Sequence, residues 1–122
     1  MSILVDSCIL IDHLRGHQVA SRFLLEAEAP CLSQITWIEV MAGALSDAEE
    51  ARIRALLAAF RIVPVDERVS EETVRIRRTR RLKVPDALIL ATARVHGLTL
   101  ATRNTKDFAP GDPDVFVPYA LP

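Results

Sequence analysis

Ile3-Leu4-Val5-Asp6-Ser7 is the stretch on which the reading of this chain turns. Three apolar residues, two of them β-branched, run into a carboxylate, and Ser7 then opens a second apolar segment, Cys8-Ile9-Leu10-Ile11. A short apolar run bounded in this way reads as a buried strand. An acid at its end stands where open α/β sheets keep their ligands, outside the carboxyl ends of the strands. Asp and Ser are equally good helix caps, so the stretch alone leaves Asp6 open between capping and chemistry.

Working outward, apolar positions at helical spacing alternate with short apolar runs. The segment after Asp6 reads as a helix stopped by Gly16, a common left-handed terminator. A second helix is expected over about 19–27, followed by a strand at Cys31-Leu32-Ser33. A third covers about 35–44, with Ile35, Ile38, Met41, Ala42 and Leu45 on one apolar face and Glu39 near its edge. Ser46-Asp47-Ala48-Glu49 has the form of a capping box and starts a fourth helix that runs to about Phe60, with Ile53, Leu56, Leu57 and Phe60 inward. Ile62-Val63-Pro64-Val65 is a strand that Pro64 confines to an edge or an end. A fifth helix covers about 67–80, with a thin stripe of Val69, Thr73 and Ile76.

Pro85 then opens a helix that is apolar all round, and Gly97 ends it. Proline suits the first helical turn, and a helix without a polar face is buried. Leu98–Thr102 and Val115–Val117 complete the set of strands. Strands alternating with helices through short connections predict an α/β/α sandwich with a mostly parallel sheet.

The 122 residues suit one domain, able to bury roughly two-thirds of its unfolded surface without disulfide or metal staples. Half the residues are apolar and mean hydropathy is +0.21, which argues against disorder. No apolar run reaches the ~18 residues of a membrane span, and no basic-then-apolar leader pattern is present, so the expected location is the cytoplasm. Cys8 and Cys31 lie in apolar runs and read as buried structural thiols. His13, His17 and His96 fall near helix ends and form no catalytic or zinc pattern. The net charge of −1 excludes a polycation, yet Arg75, Arg77, Arg78, Arg80, Arg81 and Lys83 crowd six positive charges into nine residues. That run is either a solvated helix face or a surface for a phosphate backbone.

Asp6, Glu39 and Asp86 are acids with apolar neighbours. Each has a plain alternative: a cap, a surface glutamate, an acid in a helix's first turn. Topology changes their weight. Asp6 and the loop 102–107 follow strands. The helices bearing Glu39 and Asp86 run antiparallel to the strands and begin at the same carboxyl edge. Several carboxylates on one rim raise each other's pKa, and a divalent cation removes that cost. Oxygen donors without Cys or His select Mg²⁺ or Mn²⁺ over zinc. Such an ion lowers the pKa of bound water and offsets charge on phosphorus, which suits phosphodiester hydrolysis. A single Asp6 followed by Ser7-Cys8 lacks the paired acids of receiver or phosphatase sites.

Four segments carry a resemblance: Leu4-Val5-Asp6-Ser7 with Ile11-Asp12-His13-Leu14-Arg15-Gly16; Ser33-Gln34-Ile35-Thr36-Trp37-Ile38-Glu39-Val40 with Gly43; Pro85-Asp86-Ala87-Leu88-Ile89-Leu90-Ala91-Thr92-Ala93; and Gly97-Leu98-Thr99-Leu100-Ala101-Thr102-Arg103-Asn104 with Asp107-Phe108. In this order and spacing the sequence resembles the PIN-domain endoribonucleases, specifically the VapC toxins of bacterial toxin–antitoxin pairs. The resemblance implies catalytic and metal-binding roles for Asp6, Glu39 and Asp86. At the fourth position, where the family often has an acid, stands Asn104, with Asp107 as a second candidate. Ser7 and Thr102 are possible helpers, and Arg75, Arg78, Arg81, Lys83 and Arg103 possible RNA contacts. It further implies Mg²⁺ or Mn²⁺, an RNA substrate, a homodimer, a cognate VapB-like antitoxin, and operator DNA reached only through that antitoxin. A nuclease acting on DNA or flap structures needs the same acids, and Asn104 leaves room for a non-catalytic binding module.

Overall fold

The computed structural model describes residues 2–122. In chain order the elements are β1 (Ile3–Val5), α1 (Ser7–Leu14), α2 (Gln18–Glu26), β2 (Cys31–Ser33), α3 (Gln34–Ala42), α4 (Asp47–Leu57), β3 (Arg61–Val63), α5 (Glu67–Thr79), α6 (Val84–Val95), β4 (Thr99–Ala101) and β5 (Val115–Phe116). The strands form one sheet in the order β3-β2-β1-β4-β5, with every pairing parallel. β3 is an edge strand, as Pro64 requires, and Pro64 itself falls just beyond it.

The period-2 alternation of a strand divides the apolar residues between two cores. Leu4, Val63 and Leu100 face α5 and α6, joined by Val69, Ile76, Ile89, Leu90 and Phe108. Ile3, Val5, Leu32 and Ala101 face the other way, against Ile9, Leu10, Ala20, Val40, Ile53 and Leu57 of α1 to α4. The result is the three-layer sandwich the alternation of elements predicts. The all-apolar helix is buried along its body, from Ala87 to Ala93 apart from half-buried Leu88. Gly16 (φ +87°) and Gly97 (φ +65°) follow α1 and α6 in the left-handed conformation, which a side chain would strain.

Two expectations need correction. The inward side of α3 is Thr36 and Val40, whereas Ile38 is half-exposed and Leu45 is 89% exposed beyond the helix end. α3 packs against α1, α4 and α6 at once, so its contacts wrap round it and do not follow one stripe. Cys31 is buried, but Cys8 is only half-buried, because its place in the first turn of α1 turns it toward the rim where β1 and β4 end. No helix among the described residues is long and apolar enough to cross a membrane.

Strand order reverses at β1: the chain leaves it toward β2 on one side and returns to it as β4 on the other. Ligand crevices of open α/β sheets form at such a switch point. Here the reversal puts Asp6, directly after β1, beside Thr102, directly after β4.

Candidate active site

Asp6 is 5% exposed and uses its two oxygens differently. Oδ1 accepts the Ser7 backbone N–H at 2.8 Å and caps α1. Oδ2 accepts the hydroxyl of fully buried Thr102 at 2.7 Å, with the Cys8 thiol at 3.7 Å. Thr102 Oγ1 in turn accepts the Asn104 N–H at 3.0 Å. The backbone amide of Ser7, not its hydroxyl, is the group that engages Asp6.

Asp6, Asp86 and Asn104 line one solvent-open cavity of about 410 Å³, together with Cys8, Arg103 and Lys106. Glu39 lines an adjoining groove and is exposed, but it belongs to the same electrostatic unit. Partial burial and the charges of Asp6 and Asp86 push its carboxyl above the ordinary carboxylate range. Asp86 is half-buried in the first turn of α6. Burial, then Asp6 and Asp107, push its carboxyl up, and Lys83 opposes them. Burial and the Asp6 charge likewise push the Cys8 thiol up, with the Arg103 N–H and Thr102 hydroxyl opposing.

The two candidates for the fourth position are joined to each other. Asn104 Nδ2 donates to Asp107 Oδ2 at 3.0 Å, and the Asp107 N–H donates to Asn104 Oδ1 at 3.3 Å. Asp107 is exposed outside the cavity lining, yet its charge reaches Asp86. Asn104 is therefore the inner member of the pair and Asp107 the outer.

The basic residues divide. Arg75 is paired with Glu72, and Arg80 with Asp112 at 3.0 Å. Arg78, Arg81 and Lys83 are exposed and make no ion pair among the described residues. Arg103 grips Asp12, with Nε to Oδ2 at 2.6 Å and Nη2 to Oδ1 at 2.9 Å. Tyr119 adds its hydroxyl to Asp12 Oδ2 at 2.7 Å. Burial alone would raise the Asp12 carboxyl, but the hydrogen bonds from Arg103 and Tyr119, with the Arg103 charge, hold it below its ordinary value.

Asp12 and Tyr119 carry no assigned role in the sequence reading, and Cys8, read there as a buried structural thiol, lines the cavity instead. Asp12 had a legible signal, an acid inside the apolar run Ile9–Leu14, the same mark that singles out Asp6. Tyr119 had none, since 107 residues separate it from the carboxylate it meets.

Asp6, Glu39 and Asp86 supply only hard oxygen donors, and burial with the Asp6 charge pushes the carboxyls of the other two up, which fits a divalent cation. Among the described residues no trio of His, Cys, Asp or Glu side chains is already closed to metal-holding distance. Glu39 is exposed and Asp86 half-buried, so both reach solvent.

The PIN domain family model matches residues 3–109. Ribonuclease VapC10 of Mycobacterium tuberculosis is 37% identical over 127 aligned positions, covering 98% of this chain and 95% of that protein. The structure of a toxin–antitoxin complex from Klebsiella pneumoniae superposes with a TM-score of 0.91 at 45% identity, over 98% of this chain and all of that one. FitAB bound to an IR36 DNA fragment superposes with a TM-score of 0.81 at 29% identity, over 98% of this chain and 97% of that one.

Proposed function

The chain belongs to the PIN domain family, among its VapC ribonucleases, and from that premise we propose that it is the toxin of a toxin–antitoxin pair. It is an endoribonuclease that hydrolyses RNA phosphodiester bonds and is inhibited by a cognate VapB-like antitoxin. The observation that carries this reading is electrostatic. Asp6, Glu39 and Asp86 come from three separate segments of the chain, yet Asp6 and Asp86 line one cavity, and burial followed by the Asp6 charge pushes the carboxyls of both Glu39 and Asp86 up.

Asp6, Glu39 and Asp86 would hold Mg²⁺ or Mn²⁺, with Asn104, backed by Asp107, completing the polar wall. When bound, such an ion lowers the pKa of a coordinated water and offsets charge developing on phosphorus. Thr102 keeps one Asp6 oxygen in a fixed direction, and Oδ1, which accepts only the Ser7 N–H, retains a lone pair. Lys106 in the cavity wall and Lys83 beside Asp86 draw in the phosphate. Arg78 and Arg81 extend that field along the surface, with Arg75 and Arg103 adding charge from within ion pairs.

The toxin works in the cytoplasm as a homodimer, and it reaches operator DNA only through its antitoxin. The Klebsiella complex supports the pairing with an antitoxin, and the DNA-bound FitAB structure supports the link to DNA. The test is cleavage of single-stranded RNA, structured RNA and flap DNA by the purified chain with Mg²⁺ or Mn²⁺. RNA should be cut, EDTA should stop it, and Asp6→Ala and Asp86→Ala should abolish it while the circular dichroism spectrum stays native. An Asp86→Ala variant cutting at the wild-type rate would remove the site assignment. Preference for flap DNA would move the chain to the alternative nuclease class.

A further inference from the structure

The contacts of residues 102–104 lie between two groups. On one side stand Asp6 and Cys8. On the other stands Asp12, which is only 2% exposed and takes hydrogen bonds from Arg103 and from Tyr119 near the C-terminal end of the chain. Cys8 and Asp12 are one turn apart and so share a face of α1. Arg103 touches both: its backbone N–H donates to Cys8 Sγ at 3.4 Å, and its guanidinium forks onto Asp12. A bidentate guanidinium–carboxylate pair fixes direction as well as distance. The segment is thus fastened along α1 at two points, and Thr102 and Asn104 are the residues on either side of Arg103.

We propose that Asp12 and Tyr119 are positioning residues: by gripping Arg103 they hold Thr102, Arg103 and Asn104 against α1, and so fix the direction of Asp6 in the acidic cavity. Three features support positioning over plain stapling. The chain of contacts ends on Asp6 Oδ2, through the Thr102 hydroxyl. That hydroxyl is itself oriented by the Asn104 N–H, on the far side of Arg103. Tyr119 is half-buried against the core beneath α1 to α4, and its hydroxyl stands 2.7 Å from the same Asp12 oxygen that Arg103 Nε contacts. The depressed Asp12 carboxyl agrees with a carboxylate that stays charged throughout the working pH range.

For catalysis the inference rests on the ribonuclease reading, so its test needs a readout that does not. Truncating Asp12 or Arg103 to alanine strands a buried partner, and a variant that fails to fold would report only that. Tyr119→Phe removes one hydroxyl, and Asp12→Asn keeps the shape while removing the charge. In both, amide hydrogen exchange at Arg103 and Asn104 should quicken about tenfold or more, while α5 and α6 keep wild-type protection. Under single turnover with RNA, cleavage should slow about tenfold and the Mn²⁺ concentration for half-maximal rate should rise, as when the support of a metal ligand is removed. KM for RNA should stay unchanged.

Wild-type exchange at residues 103 and 104 in both variants would overturn the proposal. So would loss of protection spread evenly over the sheet, which marks a staple, or a rise in KM alone. If the wild-type chain cuts no RNA, the ribonuclease reading fails, and the exchange measurement still decides whether Asp12 and Tyr119 hold the segment.

Discussion

Thr102 carries more of the site than its small side chain suggests. It is fully buried, its hydroxyl donates to Asp6, and the same oxygen accepts the Asn104 N–H. Thr102→Val keeps the volume but takes a donor from a buried carboxylate and an acceptor from a backbone amide, a change that costs about 1–3 kcal/mol of stability. The expected kinetic outcome is a fall in kcat of about 10–100-fold, measured on RNA at saturating Mn²⁺. A variant that is less stable yet keeps full kcat would reduce Thr102 to a packing role. Residue identity was legible here to an uneven degree. Asp6, Glu39 and Asp86 each stood out as an acid among apolar neighbours, and at Asp6 the cap occupies only Oδ1, while Oδ2 turns to the Thr102 hydroxyl. Asp12 bore the same mark with a different outcome. Its charge is neutralised by Arg103 where Asp6 is left facing the cavity, and which partner an acid meets depends on a contact 91 residues away.

At the scale of elements, the connection from β4 to β5 is irregular yet anchored at several points. Phe108 is fully buried in the core shared with α6. Beyond it, Asp112 meets Arg80 at 3.0 Å and Asp114 meets Arg94 at 2.8 Å. These ion pairs still reach solvent and contribute about 1 kcal/mol each, less than a buried aromatic ring, so Phe108 is the main anchor. Phe108→Ala should lower unfolding free energy by about 3–5 kcal/mol. It should also open the segment 104–114 to proteolysis while α5 and α6 resist. Denaturant unfolding with limited proteolysis checks both, and an unchanged cleavage pattern would show that the ion pairs suffice. Elements with one neighbouring layer were read well. α5 buries the expected Val69, Thr73 and Ile76, because it packs on one side only. α3 was misread in its inward face, because a helix with three helical neighbours has no single stripe to find.

For the whole molecule, the acids set opposite pH limits. The Asp12 carboxyl lies below its unfolded value, so its native state binds fewer protons; the stability it contributes is present at neutral pH and is lost as pH falls below about 4. Glu39 and Asp86 lie above theirs. Their native state binds more protons, so stability declines as pH rises through the raised values. The metal-free chain should therefore melt highest in mild acid and lower on both sides. Mn²⁺ should raise the melting temperature at pH 7.5 much more than at pH 5, because it replaces the protons the acids have lost, and Asp86→Asn should blunt that response. A scan in EDTA and in Mn²⁺ from pH 3 to 8 checks it. A melting temperature that climbs steadily to pH 8 in EDTA and ignores Mn²⁺ would contradict the assignment. By itself the sequence determined the sandwich architecture and the strand and helix order, and it singled out three acids as candidates, because periodicity and chain direction are local properties that survive in one dimension. Only the tertiary structure decided how the two oxygens of Asp6 divide between Ser7 and Thr102, that Arg103 turns to Asp12, that Asn104 sits inside Asp107, and that Tyr119 takes part at all. Those are pairings between segments far apart in the chain, fixed by how the layers pack and by the need of every buried charge for a partner.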